Sequence, residues 1–511
     1  MIKSDYPSPD THIFYCDKSD WYVEDEDGTQ DWSKSEDKIT EFWQRVRNEK
    51  MTLEDLDFSE FIFPEFRFLN EAVTFWEKST QEVFPEDVTF FKTKFLGEAE
   101  FSDAQFLGEA YFKEAQFSKS AIFLDAQFSR KADFFDAKFL GEANFFAAKF
   151  MEKVNFHDVQ FSGGDFSKAQ FSGDAEFFET QFSEEALFFE AQFSGEANFK
   201  YVKFSGEANF ARAKFSGETD FLEAQFSGVA SFFEAQFSGV ASFVKAQLSG
   251  TMIFFNTQFL REVDFFDANF LGEVVFKKAQ FSKRTNFSFT RFLGKQILFE
   301  DCVRIENDRK ITLKFENVNI NDSVIFRRID LTNTSFKQAD LVNTQFKECD
   351  FGGQHRLILK DEEGKDYKAM EDLYRQLKKN FDSAKDWELS GRAFYSEMQM
   401  YREWLYQKRK AMWLVYWFYG VFGGYTQRIK NPILSILGLI GVFSIFFYFI
   451  DCNVGNAIQR GFFGAFPKFI DITTTSREFP GYWLVLKNLE FILGSTFLTF
   501  LILALRKQFK Q

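Results

Sequence analysis

Through the middle of the chain the hydrophobic positions keep a strict rhythm. Phe stands at 95, 101, 106, 112, 117, 123, 128, 134, 139, 145, 150, 156 and 161, in alternating steps of six and five residues, so the repeating unit is eleven residues. Two residues before most of these rings comes a small apolar side chain: Ala99, Ala104, Ala110, Ala115, Ala121, Ala126, Ala132 and Ala137. The positions on either side of each Phe are mostly polar, as expected when alternate side chains point inward from a short extended segment. An eleven-residue period can also wind helices into a right-handed supercoil. One apolar pair per unit is too narrow a stripe for packed helices, however, and Gly recurs near the same phase in many units. The pattern therefore predicts stacked coils of short strands, a β-solenoid in which Phe lies on Phe and Ala on Ala.

The rhythm shortens once. Phe156, Phe161, Phe166 and Phe171 are each five apart, across Gly163-Gly164, before the alternation resumes at Phe177 and runs through Leu248 to Val303. A second block, Phe326, Leu331, Phe336, Leu341, Phe346 and Phe351, uses five-residue steps only. This block, with Ala339-Asp340-Leu341 and Cys349-Asp350-Phe351, resembles the pentapeptide-repeat family, whose repeat reads A(D/N)Lxx. The resemblance implies a right-handed quadrilateral β-solenoid with one pentapeptide per face. The long block departs from it by the extra residue in alternate units, which predicts about 22 residues per coil. At about 4.8 Å per coil, roughly nine to eleven coils make a rod of about 45–55 Å. The expected organisation is an acidic, largely irregular segment 1–60, a cap or solenoid start at 61–94, the main solenoid at 95–303 and final coils at 304–351.

The residue after the Phe of the five-residue steps is repeatedly a second aromatic: Phe135, Phe146, Phe178, Phe189, Phe233, Phe255 and Phe266. Neighbouring side chains of an extended segment face opposite ways, so these rings point outward and form a candidate stripe for docking a partner protein. His157 occupies the same outward position and reads as an isolated surface residue, with no Cys or Asp arrangement that would make it a ligand or base. Glu142, Glu196 and Glu207 recur at unit spacing, which argues for a repeated surface and against a catalytic carboxylate pair.

After the solenoid the period changes to three and four. Met370, Leu373, Tyr374, Leu377 and Phe381, then Phe394, Met398, Tyr401 and Leu405, predict an amphipathic helical hairpin over 352–410 with its turn near Ser383–Asp386. A juxtamembrane segment, 411–431, follows, with Trp413, Trp417 and Tyr419 beside Arg409 and Lys410 as interfacial anchors. Residues 432–450 carry no charge and 489–505 only one, so each is long enough to cross a bilayer; the mean hydropathy of -0.27 conceals this. The expected spans are 432–450 and 484–505, joined by an extracytoplasmic loop, 451–483, and followed by a cytoplasmic tail, 506–511. Basic residues flank the pair (Arg402, Lys408, Arg409, Lys410, Arg428 and Lys430 before, Arg506, Lys507 and Lys510 after) and are sparser in the loop (Arg460, Lys468 and Arg477), which places both termini in the cytoplasm.

The order of rod, helical hairpin, aromatic-basic segment and two spans is similar to bacterial pentapeptide-repeat proteins that end in a two-helix, potassium-channel-like module. The phrases YRQLKKNFDSAKDWELSGRAFYSEM, GGYTQRIKNP and NLEFILGSTFLTFLILALRK carry this resemblance. A selectivity filter needs backbone carbonyls aligned along an axis. The loop offers only Thr473-Thr474-Thr475 and, further on, Gly481-Tyr482 as a degenerate pore, and the filter motif itself is missing. Glu490, three residues after Lys487, is expected to pair with it near the start of the second span.

Composition narrows the function. The chain has 511 residues, of which 78 are Phe, 3 His and 4 Cys, and the Cys show no paired spacing; no metal, cofactor or catalytic site is expected. A net charge of -15 opposes wrapping a phosphate backbone, so nucleic acid is not an expected partner. The leading expectation is a non-enzymatic scaffold for protein-protein interaction, anchored at the bacterial inner membrane and self-associating through the membrane module. The first alternative is an ion channel-like pore gated through the solenoid. The second, implied by the family resemblance, is an acidic DNA mimic acting on a topoisomerase.

Overall fold

The computed structural model describes residues 12–25, 30–46, 56–64, 66–67, 83–304, 313–320, 324–451, 458 and 481–508. The chain divides into two compact units, residues 1–350 and 351–511.

Unit one is a β-solenoid. Its strands are mostly two residues long, and four of them make a coil, as Val88–Thr89, Lys94–Phe95, Ala99–Glu100 and Gln105–Phe106 do on the first to fourth faces. Each strand pairs in parallel with its counterpart one coil on, as Phe95 does with Phe117 and Ala110 with Ala132. The first face carries twelve such strands and the fourth eleven, while the second and third join into one sheet. Strands Ile62–Phe63 and Phe66–Arg67 already pair with Lys94–Phe95 and Ala99–Glu100, so coiling begins before residue 95.

Parallel stacking of identical units puts identical side chains in register, which is why the Phe rhythm was visible in the sequence. Phe95 and Phe117 stack with ring centroids 4.6 Å apart and an interplanar angle of 0°. Across the interior, rings from facing columns meet edge-on, as Phe101 and Phe112 do at 89° and 5.7 Å. Both are preferred aromatic geometries, each adding about 0.5–1.5 kcal/mol beyond area burial. The Ala side chains fill the space the rings leave. At three five-residue corners where Thr or Cys replaces Ala, its hydroxyl or thiol donates to a Phe carbonyl of the neighbouring coil: Thr180 Oγ1 to Phe156 O at 2.6 Å, Thr257 Oγ1 to Phe232 O at 2.7 Å and Cys302 Sγ to Phe276 O at 2.9 Å.

The two step lengths turn two kinds of corner. The five-residue step is a tight turn closed by a backbone bond, such as Ala104 N to Phe101 O at 3.2 Å, with its third residue left-handed, as Asp103 is at φ 57°. This is the type II arrangement, here made with Asp, Glu or Lys where Gly is usual. Many of the six-residue steps pass through Gly, and successive coils nearly touch there: a Cβ on Gly239 would lie 1.9 Å from the Gly217 carbonyl oxygen. At Gly163-Gly164 the six-residue corner loses one residue, and the chain runs as one strand, Gln160–Asp165, whose register against Lys138–Asn144 shifts after Phe139.

Part of the acidic N-terminal segment, expected to be irregular, is ordered by buried aromatic residues. Helices α1 (His12–Tyr15) and α2 (Glu36–Arg45) lay Phe14 on Phe61 at 4.8 Å and Phe42 and Trp43 against Phe63 at 5.7 and 5.6 Å. They cover rings that would otherwise end the stack in water, the role of a capping element in a repeat protein.

Unit two is helical: α3 (Tyr367–Ser383), α4 (Trp387–Gln407), α5 (Met412–Gly423), α6 (Lys430–Asp451) and α7 (Gly481–Gln508). Asp366 and Asp386 cap α3 and α4, accepting from Ala369 N and Leu389 N. Helix α3 buries the expected face, Met370, Leu373, Tyr374, Leu377 and Phe381. Helix α4 matches its expected face only at Leu405, which is buried: Tyr395, Ser396, Glu397 and Met400 are also buried, and Phe394, Met398 and Tyr401 only partly. Glu397 turns inward because Arg375 Nε reaches its carboxylate at 3.0 Å.

The expected pair of spans is only partly matched. Asn488–Lys507 of α7 is by itself long and apolar enough to cross a membrane, whereas residues 432–450 lie in α6, which qualifies only jointly with α5 across a bend of 118°. At that bend Gly424, Tyr425 and Thr426 are all left-handed. The buried Tyr425 ring fits where Gly420 has no side chain; a Cβ there would lie 2.6 Å from it. Ile436, Leu439 and Phe443 of α6 pack with Phe497 of α7 and Phe418 and Phe422 of α5.

Candidate interaction columns on the solenoid corners

The outward aromatic residues sit at the second position of the left-handed turns, and the preceding residues hold them there. Asp133 Oδ1 accepts from Phe135 N at 3.3 Å, Asn144 Oδ1 from Phe146 N at 2.9 Å and Asn155 Oδ1 from His157 N at 3.1 Å. Burial raises the Asp133 carboxyl, but Lys131 and Lys113 outweigh it and leave its pKa below the ordinary value. With the backbone pinned, the side chain at that position projects from the corner: Phe135 and Phe266 are exposed, and Phe146, Phe178, Phe189, Phe233 and Phe255 are half-buried.

These seven rings do not form one stripe. Left-handed turns join the first face to the second and the third to the fourth, so they occupy diagonally opposite corners. One corner carries Phe135, Phe178 and Phe266, the other Phe146, Phe189, Phe233 and Phe255. An alternation of two step lengths repeats every second face, and the sequence reading merged what the coil separates. On the first corner the column runs Phe135, His157, Phe178 and Tyr201, with centroids 5.3, 4.8 and 5.4 Å apart. On the second, Phe233 and Phe255 stack at 5.5 Å, and Lys168, Arg212 and Lys278 lie over Phe146, Phe189 and Phe255 at 5.3, 6.0 and 6.0 Å.

Tyr201 and Phe289 belong to the first corner but escaped the sequence reading, because they stand at the left-handed position itself, one residue later. Counting both turn positions would have found them. His157 is not isolated: its Nε2 lies 3.2 Å from Asp158 Oδ2, with Glu179 of the next coil close by. Glu142, Glu196 and Glu207 are all exposed. The solenoid thiols are chemically quiet, since burial pushes Cys302 up to about 12 and Cys349 up to about 11.

In the helical unit, Glu490 is buried on α7. Its expected partner, the Lys487 side chain, and the candidate pore residues Thr473, Thr474 and Thr475 lie outside the described residues, as does the side chain of Tyr482. The backbone of Gly481-Tyr482 opens α7, so the helix begins three residues before the expected 484.

Models of pentapeptide repeats match residues 90–138 and 188–236 in one form and residues 323–353 in another. No curated protein and no solved structure matches the chain significantly. The matched segments are coils whose Phe and Leu columns fill the interior, so these stretches are similar to pentapeptide repeats, and the chain is a β-solenoid followed by helices.

Proposed function

We propose that the protein is a non-enzymatic scaffold, anchored in a membrane by its helical unit and offering the solenoid corners to protein partners on the cytoplasmic side. The observation that carries the anchor is the apolar exposure of the helices. Leu434, Leu437, Ile445 and Phe449 of α6 are 59–77% exposed, and Ile492 and Ile502 of α7 are 59% and 55% exposed. Residues of this kind in a continuous exposed surface are costly in water and at home in hydrocarbon. Helix α5, with Leu414, Val415 and Trp417 exposed and Lys408, Arg409 and Lys410 just before it, has the make-up of a helix lying in the headgroup layer. The rigid solenoid supports the scaffold half of the reading, since binding to it costs little ordering on its own side.

Carbonate extraction of membranes from cells expressing the full chain tests the anchor: the protein should stay with the pellet, and release into the supernatant refutes the reading. For the partner, the four-ring corner is the better target. Phe189→Glu with Phe233→Glu should abolish partner recovery while leaving the circular dichroism unchanged, and undiminished recovery by the folded variant would remove that corner from the proposal.

A further inference from the structure

We infer that His157, Asp158 and Glu179 form a binding site for a transition-type divalent cation, clipping two coils of the solenoid together. One ligand atom from each of the three converges to within 4.8 Å of the others. Two features of the surrounding fold support a cation here. The first is charge. Residues at the left-handed position stack coil on coil, and at several coils opposite charges meet there: Lys92 with Glu114 at 3.7 Å, Lys245 with Glu223 at 3.5 Å, and Arg212 between Glu190 and Glu234 at 3.6 and 3.0 Å. In four successive coils of the first corner the same position holds Glu114, Asp136, Asp158 and Glu179, all acidic. Like charges at coil spacing repel, and a divalent cation converts that repulsion into attraction.

The second feature is the histidine. It replaces the Phe expected in the column and lies between Phe135 and Phe178, with its backbone fixed by Asn155. It also falls at the solenoid's irregular coil, where Phe156 stacks on Phe177 and the step from Met151 to Ser172 is 21 residues, against the usual 22. Glu179 holds the left-handed position one coil on from Asp158.

One imidazole and two carboxylates favour Zn²⁺, Co²⁺ or Mn²⁺ over Mg²⁺, which prefers oxygen and water. Ligand atoms about 2 Å from an ion lie roughly 3.4 Å apart around a tetrahedron. The exposed Glu179 side chain needs only a rotamer adjustment to reach that spacing. A fourth position stays open at the surface.

The test is Co²⁺ titration of the untagged full chain in detergent, followed by the visible absorption band of the bound ion and by its displacement with Zn²⁺. The wild-type protein should bind one equivalent, with Mg²⁺ failing to compete. His157→Phe restores the aromatic column and Glu179→Gln keeps the side-chain shape, and each should weaken Co²⁺ binding at least about tenfold. Circular dichroism checks that the solenoid persists in both; if His157→Phe does not fold, Glu179→Gln alone decides. Equal affinity in the folded variants, equal competition by Mg²⁺, or no one-equivalent binding by the wild-type chain overturns the site.

Discussion

Phe243 and Phe449 carry the same side chain in opposite surroundings. Phe243 is fully buried, stacked on Phe221 and Phe265 at 4.9 Å on either side. Phe449 is 77% exposed on α6. In the solenoid an apolar residue is hidden by a copy of itself one coil away, so the sequence supplies both the side chain and its cover. In the helical unit no repeated copy supplies such a cover, and the Phe449 ring stands out from α6. The difference teaches that a repeat can close its own core with units too short to fold alone, whereas a few apolar helices without a periodic partner cannot.

The largest effect should come from breaking a column. Phe221→Ala removes a ring stacked in the interior and is expected to cost about 3–5 kcal/mol in denaturant unfolding of the full chain. Phe449→Ala should leave stability in detergent unchanged within about 0.5 kcal/mol. A comparable loss at both positions would mean that the two units bury Phe in the same way.

Glycine sharpens the contrast. Gly239→Val forces a side chain against the backbone of the previous coil, where even a Cβ would lie 1.9 Å from an oxygen, and should cost about 2–3 kcal/mol. Gly438 of α6 has nothing within 4 Å of the position a Cβ would take, so Gly438→Ala should stabilise by about 0.5–1 kcal/mol through helix propensity.

The cap offers a smaller, pH-dependent effect. Burial pushes the Lys18 amine down to about 8 from its ordinary 10.5, although it donates to Cys16 O at 3.2 Å and faces Trp21 and Phe42 at 5.3 and 5.0 Å. A lysine titrating lower in the folded than in the unfolded state costs stability wherever both states are protonated, here below about pH 8, and the cost is relieved as pH rises toward 10.5. Lys18→Met should therefore raise stability by about 1–2 kcal/mol at pH 7, an advantage that shrinks between pH 8 and 10.5. A constant difference across that range would show that the amine does not titrate as burial requires.

The smallest effect belongs to the other corner type. Asp267, left-handed at φ 55°, can become Gly with a change within about 0.5 kcal/mol, because relieved backbone strain offsets the extra freedom of the unfolded chain. Asp267→Val should cost about 1–2 kcal/mol, since a β-branched residue resists that backbone region.

Much of the solenoid was legible because its contacts are repeated in the text. The step from Phe95 to Phe117 is the spacing of a parallel pair, and nothing distant had to be known to see it. The corners were less legible. That Gly recurs in the six-residue steps follows from how closely coils approach, and that a five-residue step tolerates a left-handed Asp or Glu follows from the turn's closing bond; neither is written in hydrophobicity. The candidate columns were half legible. Outward rings at 135, 178 and 266 and at 146, 189, 233 and 255 were found as residues, but their separation to opposite corners required the coil. His157 was seen as solitary because Asp158 is its neighbour in sequence and Glu179 its neighbour only in the stack.

The α4 helix shows the same limit in another form. Phe394 and Met398 read as its inner face from periodicity alone, yet the helix turned to bring Glu397 to Arg375. What the sequence determined by itself was the solenoid: its period, its interior rings and the place where it loses a residue, since a translational repeat makes local spacing and spatial neighbourhood the same fact. What only the tertiary structure decided was which corner each outward side chain occupies, which carboxylates stack over the histidine and how α5 bends from α6. These depend on groups distant along the chain meeting in space, and one-dimensional spacing carries no record of such meetings.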